Sequence, residues 1–234
     1  MTYTEQDPVG GRAGTGEVPA RRTLWPLVGV AAGLLGVVAT VGFDVRAGMS
    51  GGEVDNMTID RVDDVSVMAA RLGFLTGFAT VALLLVTSAA WRRRVEPRVP
   101  GSTAAGVVST GLTAAAGALI LGYGWKGAMS IYGEGGDEFG AFDQQGRYVY
   151  YVLNDFGGFI GWFGVLVAAG GVCWMALRER TVSRWIGWVS VVTVAAPVGW
   201  FLISPVPGLS ALTAPIWMIV VFSGLAFGKS TVTR

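Results

Sequence analysis

Five polar side chains sit beside the ends of long apolar runs: Asp44, Arg71, Lys126, Asn154 and Asp155. Opposite charges that meet in partly dry surroundings attract more strongly than in water. The set is therefore a candidate polar pocket for a ligand or a partner, with Asp155 and Arg71 as its leading pair. The competing use of such charges is a rim whose long side chains reach the headgroups. A second group, Glu134, Asp137, Glu138 and Asp143, offers only oxygen donors, the ligand type of calcium and magnesium. Its spacing matches no EF-hand loop. With Glu53, Asp55, Asp60, Asp63 and Asp64 further upstream, it reads as a solvated acidic surface. The chain has no histidine and a single cysteine, Cys173. It thus lacks the commonest transition-metal ligand and cannot close an internal disulfide. No P-loop, dinucleotide fingerprint, zinc spacing or nucleophile–base set is present, so no catalytic, cofactor or metal residue is assigned.

The elements that must position these groups are membrane spans. Of the 234 residues, 52% are hydrophobic and only 14% charged, against about 25% charged in an average soluble domain. A bilayer core about 30 Å thick needs a helix of roughly 20 apolar residues. Six runs qualify, at about 24–43, 67–90, 103–123, 156–177, 185–204 and 209–227. They do not alternate polar and apolar residues as barrel strands do. The fold class expected is all-α: a polytopic integral membrane protein with six transmembrane helices occupying 24–228. A polar, Gly- and Pro-containing tail at 1–23 is expected to be disordered, and a short tail follows at 229–234. The first run begins after Arg21 and Arg22 like a signal peptide. It is as long as a full span and lacks a small-x-small cleavage site, so it reads as an uncleaved helix. No Asp, Glu, Lys or Arg lies near the middle of a run. Intramembrane charges usually mark proton or ion pathways, and their lack weighs against a proton-driven pump.

Charge sets the orientation. Six spans put twelve Lys and Arg with five acids on one side, and five Lys and Arg with eleven acids on the other. The positive-inside rule places the basic side in the cytoplasm, with both termini. The acidic loop of about 124–155 then faces outward.

That outward loop contains Gly135-Gly136-Asp137-Glu138-Phe139, which resembles the signature of bacterial diguanylate cyclases. Such a resemblance would imply magnesium and GTP chemistry on an α/β domain. The loop is too short for that domain, shows no strand–helix alternation, and faces away from cytoplasmic GTP. The string is read as coincidental, a Gly-rich acidic turn.

Other features read as packing. Gly29 and Gly33, Gly73 and Gly77, Gly157 and Gly161, and Gly224 and Gly228 each lie four apart, on one helix face. Trp25, Trp91, Trp125, Tyr148, Tyr150, Tyr151, Trp185 and Trp188 fall near the expected interfaces, as an aromatic belt. The basic run Trp91–Arg98 can attract anionic headgroups or simply fix topology.

The span pattern and the link Leu177–Val192, "LRERTVSRWIGWVSVV", resemble small six-helix integral membrane proteins of bacteria, of actinomycete type. The resemblance implies the architecture and carries no activity. The expectation is a non-enzymatic membrane component of the bacterial cytoplasmic membrane that binds a partner or supports the envelope. The first alternative is a small permease-like transporter with an outward pocket; a membrane-bound enzyme stands third. Membrane lipids and another membrane protein or a second copy are the expected partners. No nucleic acid and no cofactor is expected.

Overall fold

A backbone in hydrocarbon has no partner for its N–H and C=O groups outside its own segment, so apolar runs of this length fold as helices. The computed structural model describes residues 24–45, 58–204, 208–228, 230 and 232. Among these, every regular element is helical and no strand occurs. Helix α1 (Pro26–Val37) passes into a π-helical turn, Val38–Gly42. A 3-10 helix, Ile59–Asp64, precedes α2 (Val67–Arg94), and another, Glu96–Arg98, follows it. Then come α3 (Thr103–Tyr132), α4 (Gln144–Gly161), α5 (Phe163–Leu177), α6 (Arg184–Ile203) and α7 (Gly208–Phe227). Five stretches are long and apolar enough to cross a membrane: Val67–Arg98, Thr103–Tyr132, Gln144–Leu177, Arg184–Ile203 and Gly208–Phe227. The first expected span is the shorter apolar helix Pro26–Gly42. The tail at 1–23, the acids Glu53 and Asp55, the link at 205–207, and most of 229–234 lie outside the described residues.

Two boundaries move. α3 runs nine residues past its expected end, and α4 begins twelve residues before its expected start. The expected loop of 124–155 shrinks to a turn at 133–143. The reason is amphipathicity. The added turns carry polar groups outward, but bury Met129, Tyr151 and Asn154 inward, so hydropathy alone undercounts them. Asp143 starts α4, its Oδ1 accepting the Gly146 N–H at 2.8 Å. The fourth run is divided at Trp162, where α4 passes into α5.

α3 is the centre. It packs on α2 on one side and on α4 and α5 on the other, while α1 rests against α7 and α2, and α6 against α5 and α7. On α2, residues 70, 73, 77, 81, 84, 88 and 91 are buried, a spacing of three and four that keeps one stripe inward. That stripe corrects part of the expected aromatic belt. Trp91 is fully buried, and its indole N–H donates to Ala105 O at 3.0 Å. Trp25 lies edge-on to it, with ring centroids 6.2 Å apart, and both rings also meet Phe222 edge-on. Trp185 and Trp188 are exposed.

One end of the bundle is basic. Arg92, Arg93 and Arg94 end α2, Arg98 lies between α2 and α3, Arg178 and Arg180 lie between α5 and α6, and Arg184 opens α6, all exposed. The two described carboxylates of this end are engaged by serines. Ser102 Oγ donates to Glu179 at 2.7 and 2.9 Å, and Ser109 Oγ to Glu96 at 2.6 Å. Just beyond α5, Arg180 lies in the left-handed region (φ 58°), so that the Thr181 N–H reaches back to Met175 O at 3.1 Å. Helix ends of this kind favour glycine, because a Cβ in that conformation costs about 1–2 kcal/mol. Arg180→Gly is therefore expected to raise the thermal midpoint of the detergent-solubilised protein by roughly 2–4 °C. An unchanged or lower midpoint in a scanning melt would contradict this.

Candidate functional site

The end opposite the arginines holds the candidate site, and it is built on the last turn of α1. A helix leaves its final carbonyls without intrahelical partners. Here the π-helical turn closes with Phe43 N–H on Val38 O at 2.9 Å. The carbonyls of Ala39 and Phe43 are met by a lysine from another helix. Lys126 Nζ, on α3, donates to Ala39 O at 2.9 Å and to Phe43 O at 2.8 Å. Lys126 is 5% exposed, so its charge sits in the bundle, at the negative end of the α1 dipole, with the Asp44 carboxylate acting on it.

One turn deeper on α3, Tyr123 shares a hydrogen bond of 2.9 Å with Thr40 Oγ1. Thr40 Oγ1 also accepts the Trp162 indole N–H at 3.2 Å. Three segments, the end of α1, α3 and the α4–α5 junction, are thus joined by one buried chain of polar groups. Glycines on the neighbouring helices make room. A Cβ at Gly73 would fall 2.6 Å from Lys126 Cδ, and one at Gly77 would enter the Tyr123 ring. At Gly122 and Gly157 the backbones of α3 and α4 meet with no space for either Cβ. The glycine pairs read from the sequence at 73/77 and 157/161 therefore serve close approach within the chain.

Beside this chain lies a small cleft lined by Thr40, Asp44, Lys126, Asn154 and Asp155, among others. Its volume, about 20 Å³, admits a water-sized guest and excludes any organic solute. Asn154 is buried, and its Oδ1 accepts no hydrogen bond from the protein. Four of the five candidate pocket residues thus come together. Arg71 does not join them: it is exposed on α2 and does not line the cleft. The basic partner at the cleft is Lys126 instead. A helical register explains the difference, since Arg71 lies two residues from Gly73 and so faces away from the α2 stripe that meets α3.

A second construction covers this end. Arg147, 8% exposed on α4, forms a fork with Asp63 of the first 3-10 helix: Nε to Oδ1 at 2.9 Å and Nη2 to Oδ2 at 3.0 Å. Its Nη1 donates to Phe142 O at 2.5 Å, and its guanidinium lies 4.9 Å from the centre of the Phe139 ring. Gln144 adds a bond to Asp63 at 3.0 Å. Beneath, Val62, Val65, Met129 and Tyr151 form a small apolar cluster of their own. Two stretches 84 residues apart are thereby clipped into one cap. The Gly135–Phe139 string lies in this cap as a turn, with Gly136 N–H on Gly133 O at 2.9 Å and Glu138 N–H on Ile131 O at 3.1 Å. Asp60, Asp64, Glu134, Asp137, Glu138 and Asp143 are exposed around it. Among the described residues no three His, Cys, Asp or Glu side chains converge as a metal site.

Sequence reading missed the Thr40–Tyr123–Trp162 chain and the Arg147–Asp63 fork. A signal existed for each. Tyr123 and Lys126 lie three apart, hence on one helix face. Arg147 is the basic residue of an otherwise acidic stretch. No family model, no curated protein and no solved structure matches the chain.

Lys126→Met removes both bonds to α1 and takes the donor from one buried and one part-buried carbonyl, where a lost buried partner costs about 1–3 kcal/mol. A clear fall in the thermal midpoint is expected, and an unchanged one would refute the capping role. Gly73→Ala should also destabilise, through the lysine stem. In a Lys126→Ala background its cost should largely vanish, a coupling that a double-mutant cycle in chemical or thermal melts reads directly.

Proposed function

We propose that the chain is a non-enzymatic component of a bacterial cytoplasmic membrane that docks a partner protein on its acidic end. Five helices are apolar enough to cross a membrane, and a multi-pass protein follows from them. The finer reading takes Pro26–Gly42 as a sixth span, which puts both termini on the arginine side, in the cytoplasm by the positive-inside rule. The acidic cap then faces outward.

The observation that carries the docking reading is the Arg147–Asp63 fork. A loop with no role beyond joining two helices has no need of a buried, bidentate ion pair to another loop. This one is held in a fixed shape, with six exposed carboxylates and the exposed rings of Phe139 and Phe142 on its surface. A rigid acidic surface with aromatic anchors suits a basic protein segment: charge steers the encounter and the rings supply buried area. The lack of histidine and of any catalytic set in the sequence supports a non-enzymatic role.

A small permease is the second reading, favoured by the unpartnered Asn154 Oδ1 in the cleft. The cleft's small volume supports it less well for any solute larger than water.

The test is purification of the tagged full chain from its own membranes in mild detergent, with co-purifying proteins identified by mass spectrometry. A stoichiometric partner that dissociates with rising salt is expected. Asp63→Asn leaves Arg147 without its carboxylate, and should release that partner while helical content is retained. A partner that ignores both salt and Asp63→Asn would defeat the acidic-cap reading. Loss of solute uptake on Asp155→Asn, with folding intact, would favour the permease.

A further inference from the structure

A groove of about 720 Å³ runs along α3 on the flank of the bundle, far larger than the cleft at Lys126. Its floor is made of small residues in steps of four, Gly106, Thr110, Ala114 and Ala118, and its opposite wall includes Phe163 and Val167. A Cβ added at Gly106 would meet nothing within 4 Å, so the groove is real free space beside that helix face. From Thr103 to Ala118 it follows α3 for about 22 Å, more than one leaflet's half of a roughly 30 Å hydrocarbon core.

What the groove holds is decided by its mouth. Thr103 is the first residue of α3, where helical N–H groups and the positive end of the dipole favour an anion. Ser102, next to it, is bonded to Glu179, and this contact brings the end of α5 to the mouth. Arg178 and Arg180 flank Glu179 and are exposed. Glu179 itself is engaged by Ser102, and Glu96 by Ser109. Among the described residues of this end, seven exposed arginines thus stand against two occupied acids. A second copy in the same membrane orientation would bring the same arginines to the same rim and be repelled there. A molecule with an apolar chain and a negative head is attracted at both ends.

We propose that the α3–α5 groove is a binding site for an anionic phospholipid of the leaflet on the arginine side, with an acyl chain along Gly106–Ala118 and the phosphate on Arg178 and Arg180. Juxtamembrane arginines recognise anionic headgroups by charge. Threonine, glycine and alanine leave the chain room that larger side chains would fill. The site rests on the membrane embedding and is independent of the acidic cap, which lies at the other end.

The experiment uses the full chain, delipidated in a neutral detergent. Phosphatidylglycerol and phosphatidylcholine of equal chain length are added in parallel, and the thermal midpoint is read from tryptophan fluorescence. A ligand that prefers the folded state raises the midpoint. Phosphatidylglycerol is expected to give a rise about 3 °C larger than phosphatidylcholine. Gly106→Leu, whose Cβ meets nothing within 4 Å and whose side chain occupies the groove, should abolish the difference. Arg178→Gln with Arg180→Gln should reduce it to that of phosphatidylcholine. Native mass spectrometry of the unmodified protein should show one retained anionic lipid. Equal shifts for the two lipids, or a Gly106→Leu protein that responds like the parent, would overturn the proposal. So would a dimer in detergent that Gly106→Leu breaks, since a second copy would then own the groove. A chain that stays dispersed without detergent would overturn the membrane embedding itself.

Discussion

The unmet carbonyl is the constraint from which this bundle follows. In hydrocarbon, a C=O without a donor has no water to turn to, and each costs on the order of a kcal/mol or more. α1 and its π-helical turn cover Pro26–Gly42, about 26 Å of helix, and the carbonyls of Ala39 and Phe43 near their end face another helix of the bundle. Lys126 meets both of them. To reach them, its stem must pass α2, which fixes a glycine at position 73, and its helix must lie close to α1, which places Tyr123 against Thr40. Trp162 then completes the same chain of bonds and sets where α4 gives way to α5. One need at a helix end thus dictates residues on α2, on α3 and at the α4–α5 junction.

The two ends of the molecule solve their electrostatics differently. At the arginine end the described carboxylates, Glu96 and Glu179, each accept from a serine, which leaves positive charge at the surface. At the acidic end the buried Arg147 is spent inward on Asp63 and Phe142 O, which leaves negative charge at the surface. The two ends therefore present opposite surfaces, because the minority charges Glu96, Glu179 and Arg147 are bonded within the structure.

Much of this was legible in the residues. Runs of apolar residues fixed the helices, since composition over twenty residues is a strong signal. Asp44, Lys126, Asn154 and Asp155 were legible as a set because antiparallel helices bring alternate ends together. Arg71 was misread, for a physical reason: proximity to a span end says nothing about which face a side chain takes, and one hundred degrees of helical turn separate neighbours. Trp91 was misread in the same way, its place beside three arginines suggesting an interface when its face of α2 points inward. The turns beyond Tyr123 and before Phe156 were invisible to hydropathy, because they carry tyrosines, an arginine and an asparagine on faces that the fold buries. Contacts between residues more than eighty apart are harder to read: Arg147 stands out in its acidic stretch, but nothing local names Asp63 as its partner.

Those long separations have a consequence for how the protein is made. A ribosome adds roughly 5–20 residues each second. Lys126 lies 87 residues beyond Ala39, so α1 is complete on the order of ten seconds before the ammonium that closes its end exists. During that interval the nascent helix must keep its terminal carbonyls in contact with water, the headgroups or the insertion machinery. The third helix, on arrival, draws the first one inward. α1 is therefore made before α3 and yet cannot settle in its final place until α3 arrives.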